Sequence, residues 1–127
     1  MKFEIKSIKR SFRHLVDSAR YSVAGLLACF KDEQAFRQEV AFGILHFILM
    51  FAINLSASQR IYLIVLYVLI LVAELLNTAI ESAVDLYGQE FHPNAKKAKD
   101  CASAAVFCLV VLLVVSWITI IMYYMEA

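Results

Sequence analysis

Three long apolar segments, separated by short polar ones, dominate the pattern of this chain. They run from Ala35 to Leu55, from Ile61 to about Tyr87, and from Cys101 to Tyr124. Each reaches the roughly 20 residues that a helix needs to cross about 30 Å of hydrocarbon. Because unpaired strand backbones are excluded from the membrane interior, the pattern predicts transmembrane helices. We expect these helices at about residues 34–55, 60–88 and 93–124.

The segment before the first apolar run is amphipathic. Between residues 11 and 31, apolar side chains recur at helical spacing, while Arg13, Asp17, Arg20 and other charged groups gather on the opposite side. A helix with a cationic face and an apolar face is typical of the membrane interface. An amphipathic helix packed only on protein has the same pattern and stays an alternative. We therefore predict an all-α integral membrane protein, residues 1–127 forming one membrane domain that begins with a surface helix.

The composition supports a membrane protein and excludes several other classes. Hydrophobic residues make up 62% of the 127 residues, against roughly 45–50% in soluble domains. A soluble chain of this size has too much surface to bury that fraction. The net charge of +1 offers no cationic field to attract nucleic acid. The three cysteines have neither disulfide-framework nor zinc-site spacing.

Signals in the two connections predict helix starts and topology. Ser56 and Gln59 have the spacing of a capping box, and Pro93 suits the first turn of a new helix. Lysine and arginine concentrate before residue 38 and in the second connection, whereas the first connection carries only Arg60. Since positive residues mark the cytoplasmic side, we expect the N-terminus and the second connection there, with the C-terminus outside.

A polar stripe interrupts the second apolar helix. Glu74, Asn77, Glu81 and Asp85 fall within an arc of roughly 80°, with Glu81 near the cytoplasmic boundary and Glu74 about 10 Å deeper. A carboxyl at that depth costs on the order of 2–3 kcal/mol or more, so intramembrane ionisable residues are usually functional. Glu74 is therefore a candidate general base. The alternative is a hydrogen-bonded glutamic acid that holds helices together.

Further polar residues converge on the cytoplasmic ends of the other helices: Asp32, Glu33 and Glu39 around the first, and Lys96, Lys99, Asp100 and Ser103 on the third. Carboxylates with lysines nearby suit Mg²⁺ and phosphate, although no P-loop or protein-kinase glycine loop is present. Two classes stay open, an enzyme acting at the headgroup level and a small oligomeric transporter using Glu74 as a proton or cation site. These carboxylates and lysines all lie at the cytoplasmic side of the membrane. This placement favours the enzyme, because transporter sites lie near the bilayer midplane.

Two motifs resemble the bacterial membrane diacylglycerol kinases. The segment from Glu74 to Glu81, ELLNTAIE, matches the pattern E-[LIV]-[LIV]-N-[ST]-A-[IV]-E. The segment from Ala19 to Glu39 contains YSxxGLxA and ExAFRQE. The resemblance covers about residues 12–124. It implies a homotrimer of three-span protomers in the bacterial inner membrane, which transfers the γ-phosphate of ATP, with Mg²⁺, to the hydroxyl of diacylglycerol and yields phosphatidic acid.

The resemblance also implies a role for individual residues. Glu74 corresponds to the base that takes the proton of the lipid hydroxyl, Asn77 orients it or the phosphate, and Glu33 with Glu81 holds Mg²⁺. Positions matching nucleotide contacts are His14, Tyr21, Glu33, Glu81, Glu90, Phe91, His92, Lys99 and Asp100. Positions matching lipid contacts are Ser22, Ala35, Phe36, Arg37, Gln38, Glu39, Arg60, Glu74, Ser103 and Trp117.

Two features depart from that pattern. Members of the family usually carry an arginine where this chain has His14, and the adjacent Arg13 points about 100° away on a helix. Either His14, when protonated, or Arg13 would contact the ATP phosphates. The segment HPNAKKAKD resembles relatives that phosphorylate undecaprenol, whereas the following ASAA resembles the diacylglycerol branch. We favour diacylglycerol, with undecaprenol as the alternative, because apolar grooves discriminate poorly between chains.

Overall fold

The computed structural model describes residues 2–86 and 92–126, with side chains from residue 11 onward. Within these ranges the chain forms α1 (Lys2–Asp32), α2 (Gln34–Ala52), α3 (Ala57–Asp85) and α4 (Pro93–Glu126). In the described part of the chain, α2, α3 and α4 are long and apolar enough to cross a membrane. The predicted all-helical membrane protein with three spanning helices is thus confirmed at this level.

Local signals account for the helix boundaries. The Ser56 hydroxyl accepts from the backbone N–H of Gln59 at 3.3 Å, and the Gln59 side chain accepts from the N–H of Ser56 at 2.9 Å. These bonds confirm the capping box and satisfy donors that a helix start leaves unpaired. As predicted, α4 begins at Pro93, and Nδ1 of His92 accepts from the N–H of Asn94 at 3.2 Å.

Two boundaries differ from the apolar pattern. The helix α2 ends at Ala52, before the first apolar run does. Leu55 lies beyond that end, but it is only 5% exposed and belongs to the core. The last residues of the apolar run are therefore apolar because the chain is buried there, although it is no longer helical. The helix α1 begins at Lys2, ahead of the predicted segment, because Ile5, Ile8 and Phe12 continue the apolar spacing of three to four residues toward the N-terminus.

The chain divides into two compact units, Met1–Glu33 and Gln34–Ala127. The first unit is α1, whose large apolar side chains, such as Leu15 and Leu27, are well exposed. Its placement on a membrane surface stays a prediction. In the second unit, α3 packs along α4 and, less extensively, against α2.

The packed core of the second unit lies beside the α2–α3 connection, which we call the first-loop end. Met50, Leu55, Leu63 and Ile120 form a buried cluster, and Leu63 is completely inaccessible to solvent. Burying such a side chain contributes roughly 1.5–3 kcal/mol. The opposite extremity, where α3 ends at Asp85 and α4 begins at Pro93, is called the second-loop end below.

Aromatic side chains tie the three helices together between the two ends. The Tyr67 ring crosses α2 at Gly43, where an added Cβ would lie 1.9 Å from the tyrosine hydroxyl oxygen. That hydroxyl donates to the backbone oxygen of Glu39 at 3.2 Å. The ring stacks on His46 with centroids 5.3 Å apart, and Nε1–H of Trp117 donates to Nδ1 of His46 at 3.1 Å. His46 thus packs against the Tyr67 ring and links α2 to α4 through its hydrogen bond with Trp117.

Candidate active site

The polar stripe on α3 forms the centre of the candidate site. Glu74 is 5% exposed, Asn77 and Glu81 are half-buried, and Asp85 is exposed, so burial decreases steadily toward the second-loop end. The Asn77 side chain donates Nδ2–H to Oε1 of Glu81 at 3.3 Å. The stripe thus leads along one face of α3 from a buried carboxyl to an exposed one.

A second carboxyl reaches Glu74 from α2. Glu39 is half-buried, and its carboxyl lies close enough to that of Glu74 for the two to interact electrostatically. The Oε2 atom of Glu39 is buried and has no hydrogen-bond partner among the described residues. Buried polar atoms are normally paired, so an unpaired oxygen beside another carboxyl suits a ligand that brings a donor.

A lysine from α4 extends the site at the second-loop end. Nζ of Lys99 lies 2.6 Å from Oδ1 of Asp85 and also interacts electrostatically with Glu81. An exposed ion pair contributes only about 0–1 kcal/mol to stability, so its main effect is to hold the lysine beside the stripe. The sequence pattern placed Asp85 on the stripe without assigning it a role. Asp85 follows Glu81 by four residues and so lies on the same face of α3; this spacing is the sequence signal that Asp85 belongs to the site.

The remaining predicted nucleotide positions on α4 are only partly described. His92 is exposed and caps the helix start, while Asp100 forms an ion pair with Lys96 one turn away. Glu90 and Phe91 lie outside the described residues.

The predicted positions on α1 belong to the first unit. His14, Tyr21 and Ser22 are exposed, and the Ser22 hydroxyl donates to the backbone oxygen of Ser18 at 3.0 Å. His14 and Tyr21 lie two turns apart and therefore on one side of the helix. Glu33 follows the last turn and is half-buried, with its N–H bonded to the oxygen of Cys29.

The predicted lipid contacts do not form one cluster. Ala35, Arg37, Gln38 and Ser103 are exposed, but Phe36 is 3% exposed and packs inside the protein. Arg60 lies at the first-loop end, where its Nε–H donates to the oxygen of Leu55 at 3.3 Å and its guanidinium covers the Phe51 ring. That position is about 21 Å along α3 from Glu74. Trp117 also lies toward the first-loop end, against the packed core.

The oxygen atoms of the stripe suit a hard divalent cation. Among residues 2–86 and 92–126, no three metal-binding side chains gather into a closed site. Mg²⁺, however, commonly uses one or two carboxylates and completes its shell with water and phosphate oxygens. Glu81 offers a carboxylate, and the buried Oδ1 of Asn77 has no partner in the described structure. These residues therefore fit a cation that arrives with a phosphate ligand.

Comparison with known proteins gives consistent matches along most of the chain. The family described as prokaryotic diacylglycerol kinase matches residues 20–121. A diacylglycerol kinase from Pseudomonas aeruginosa is 39% identical over 110 residues, which cover 87% of this chain and 89% of the relative. One from Escherichia coli K12 is 37% identical, covering 84% and 87%. One from Helicobacter pylori 26695 is 41% identical, covering 81% and 80%.

Proposed function

Because this chain belongs to the prokaryotic diacylglycerol kinase family, we propose that it phosphorylates the hydroxyl of diacylglycerol with ATP and Mg²⁺ to give phosphatidic acid. The observation that carries the proposal is the position of Glu74. Its carboxyl is buried at one end of a polar stripe whose other end holds Lys99. A membrane-dissolved alcohol and a water-soluble nucleotide need a site with both kinds of environment.

Glu74 is the proposed general base. Its carboxylate accepts the proton of the lipid hydroxyl as the oxygen attacks the γ-phosphorus and the bond to ADP breaks. Phosphoryl transfer requires mainly positioning and charge neutralisation, so a single well-placed base suffices on the protein side. Diacylglycerol has a single O–H donor, so the neighbouring Glu39, when protonated, would donate from its unpaired Oε2 to an ester carbonyl oxygen of the lipid.

Glu81 and Glu33 are the proposed carboxylate ligands for Mg²⁺, with Asn77 orienting Glu81 through its hydrogen bond. When bound, the cation neutralises charge on the β- and γ-phosphate oxygens. Lys99 supplies a further positive charge beside the stripe, and Asp85 holds it there. Asn77 also lies one turn from Glu74 on the same face of α3, where it would orient the base or the phosphate.

The remaining proposed nucleotide contacts come from residues outside the stripe. We assign ATP binding to Tyr21, His92 and Asp100, to the segment at Glu90 and Phe91, and to His14 or Arg13 for the phosphates. Ser22, residues 35–39, Arg60, Ser103 and Trp117 are the proposed lipid contacts. Because Arg60 and Trp117 lie toward the first-loop end, they would contact the lipid far from its hydroxyl.

The proposal includes the assembly and its orientation. From the family resemblance we assign a homotrimer with active sites shared between protomers. The amphipathic α1 would lie on the membrane surface. The positive residues before position 38 and in the second connection place the N-terminus and the second-loop end in the cytoplasm of a bacterium, and the C-terminus outside.

A direct assay tests the reaction. Purified protein in mixed micelles receives γ-labelled ATP, Mg²⁺ and either diacylglycerol or undecaprenol at equal mole fraction. We expect label in phosphatidic acid, and less in undecaprenyl phosphate. Label mainly in undecaprenyl phosphate would reassign the substrate. No lipid labelling, combined with Glu74-dependent ion uptake in vesicles, would instead support a transporter.

A further inference from the structure

A cavity of about 360 Å³ separates α2 from α4 in the second unit. Phe42, Leu45 and Leu49 of α2 form one wall, and Val110 and Val114 of α4 form the other. Tyr67 and Ile70 of α3 line the side between them. The lining is almost entirely apolar, and the size lies within the roughly 300–1,000 Å³ typical of ligand pockets.

The two ends of this cavity differ. At one end it is lined by Glu39, whose carboxyl interacts with that of Glu74. At the other end it is lined by Trp117, which also packs against the buried Met50 and Leu63 cluster. The cavity therefore begins beside the proposed base and ends at the packed core. Along α2, the lining from Glu39 to Leu49 extends about 15 Å.

His46 lines the cavity and also holds Trp117 in place at this end. Its Nδ1 accepts from Nε1–H of Trp117 at 3.1 Å, and its ring is held by stacking on Tyr67. His46 is only 6% exposed, so this hydrogen bond is shielded from competing water. A shielded bond to a stacked ring restricts the indole to one orientation, and the indole then forms a rigid wall.

We propose that this cavity holds one hydrocarbon chain of the lipid substrate and that His46, acting through Trp117, sets the longest chain that fits. The inference rests on the proposed function. A lipid whose hydroxyl lies at Glu74 has its apolar chain beside Glu39, where the cavity begins. A second copy of this chain packed against the same face is the competing occupant, and the labelling and oligomeric-state measurements below distinguish the two.

Chain-length specificity provides the test. We measure kcat/KM for diacylglycerols of increasing acyl length at constant mole fraction in the micelle. Trp117→Ala should raise the ratio of long-chain to short-chain kcat/KM, and Val110→Phe, which fills the cavity, should lower it. Because each methylene changes transition-state binding by roughly 10–200-fold in a fitted pocket, a shift of at least about tenfold is expected in each case.

Besides lining the cavity itself, His46 positions Trp117, and two substitutions test this positioning role. His46→Ala should shift the length profile in the same direction as Trp117→Ala but less far. His46→Gln retains an acceptor for the indole N–H and should restore much of the original profile. Ile118→Ala is the matched control, because Ile118 adjoins Trp117 in sequence, is exposed and does not line the cavity; its profile should be unchanged.

Labelling gives a readout that is independent of turnover. A diacylglycerol with a photoreactive group at the end of one acyl chain should label the α4 segment 110–117, and Val110→Phe should abolish that labelling. Wild-type protein that phosphorylates no lipid would overturn the proposed function itself. Active protein with identical length profiles in all variants would overturn only this inference. This inference would also be overturned if Val110→Phe changed the oligomeric state and left the length profile the same.

Discussion

The two ends of the second unit differ in the kind of side chain that they contain. At the first-loop end, Leu63 and Met50 are fully enclosed, a capping box closes the start of α3, and the Tyr124 hydroxyl donates to the oxygen of Asn54 at 2.6 Å. At the second-loop end, an acidic stripe and an exposed ion pair occupy the helix surface, and buried oxygens of Glu39 and Asn77 lack partners within the described residues. The first arrangement stabilises the bundle, and the second provides groups for binding and proton transfer.

The largest expected effect on catalysis follows from removing the base at the second-loop end. Glu74→Gln preserves the shape of the side chain but cannot accept a proton. We expect kcat to fall by about 10²–10⁴-fold, the usual contribution of a general base. Labelled phosphatidic acid measures the rate, and equilibrium binding of an ATP analogue serves as the control. Turnover at the wild-type rate would falsify the assignment of Glu74.

The largest expected effect on stability lies at the other end. Leu63→Ala leaves a cavity in the packed core and should lower the free energy of unfolding by about 2–5 kcal/mol. Denaturant titration in detergent provides the measurement. Val68→Ala is the control on the same helix, because Val68 is exposed and its truncation opens no cavity. Equal losses in the two variants would show that the first-loop cluster is not the stabilising core.

A smaller and more specific effect should appear at the centre of the stripe. Glu81→Gln removes a proposed carboxylate ligand while retaining a side chain that can accept from Asn77. The Mg²⁺ concentration for half-maximal activity should rise about 10–100-fold, with less change in maximal rate. A metal titration that coincides with that of the wild-type protein would exclude Glu81 as a ligand.

The smallest expected effect concerns the ion pair. Asp85→Asn weakens the contact that holds Lys99 beside the stripe, so we expect a higher KM for ATP and a change in stability within about 1 kcal/mol. The control is Lys97→Gln, which removes an exposed charge on the same turn of α4 and leaves the Asp85–Lys99 contact in place. A stability loss without any change in KM would give Asp85 a structural role instead.

Periodicity and local signals were sufficient to predict much of this architecture. The three spanning helices, the capping box at Ser56 and the start of α4 at Pro93 depend on residues near one another in sequence. The one-sided stripe from Glu74 to Asp85 likewise depends on spacing within one helix. Such features are determined before any helix contacts another.

Contacts between helices could not be predicted in the same way. The insertion of Tyr67 beside Gly43 and the bond between His46 and Trp117 depend on how far α2, α3 and α4 slide along one another. A shift by one residue rotates a side chain by about 100°, so no single-helix pattern determines these pairs. The same reasoning explains why Asp85 was found as the partner of Lys99 only from the structure.

The most direct test of this division between the two ends measures kcat and unfolding free energy in parallel on two proteins, one altered at position 74 and one at position 63. A crossed result is predicted: the Glu74→Gln protein keeps its folding stability and loses lipid phosphorylation, whereas the Leu63→Ala protein, assayed while folded, keeps phosphorylation and loses stability. If both proteins lose both properties to a similar extent, catalysis and stability are not separated along the bundle, and the account is wrong.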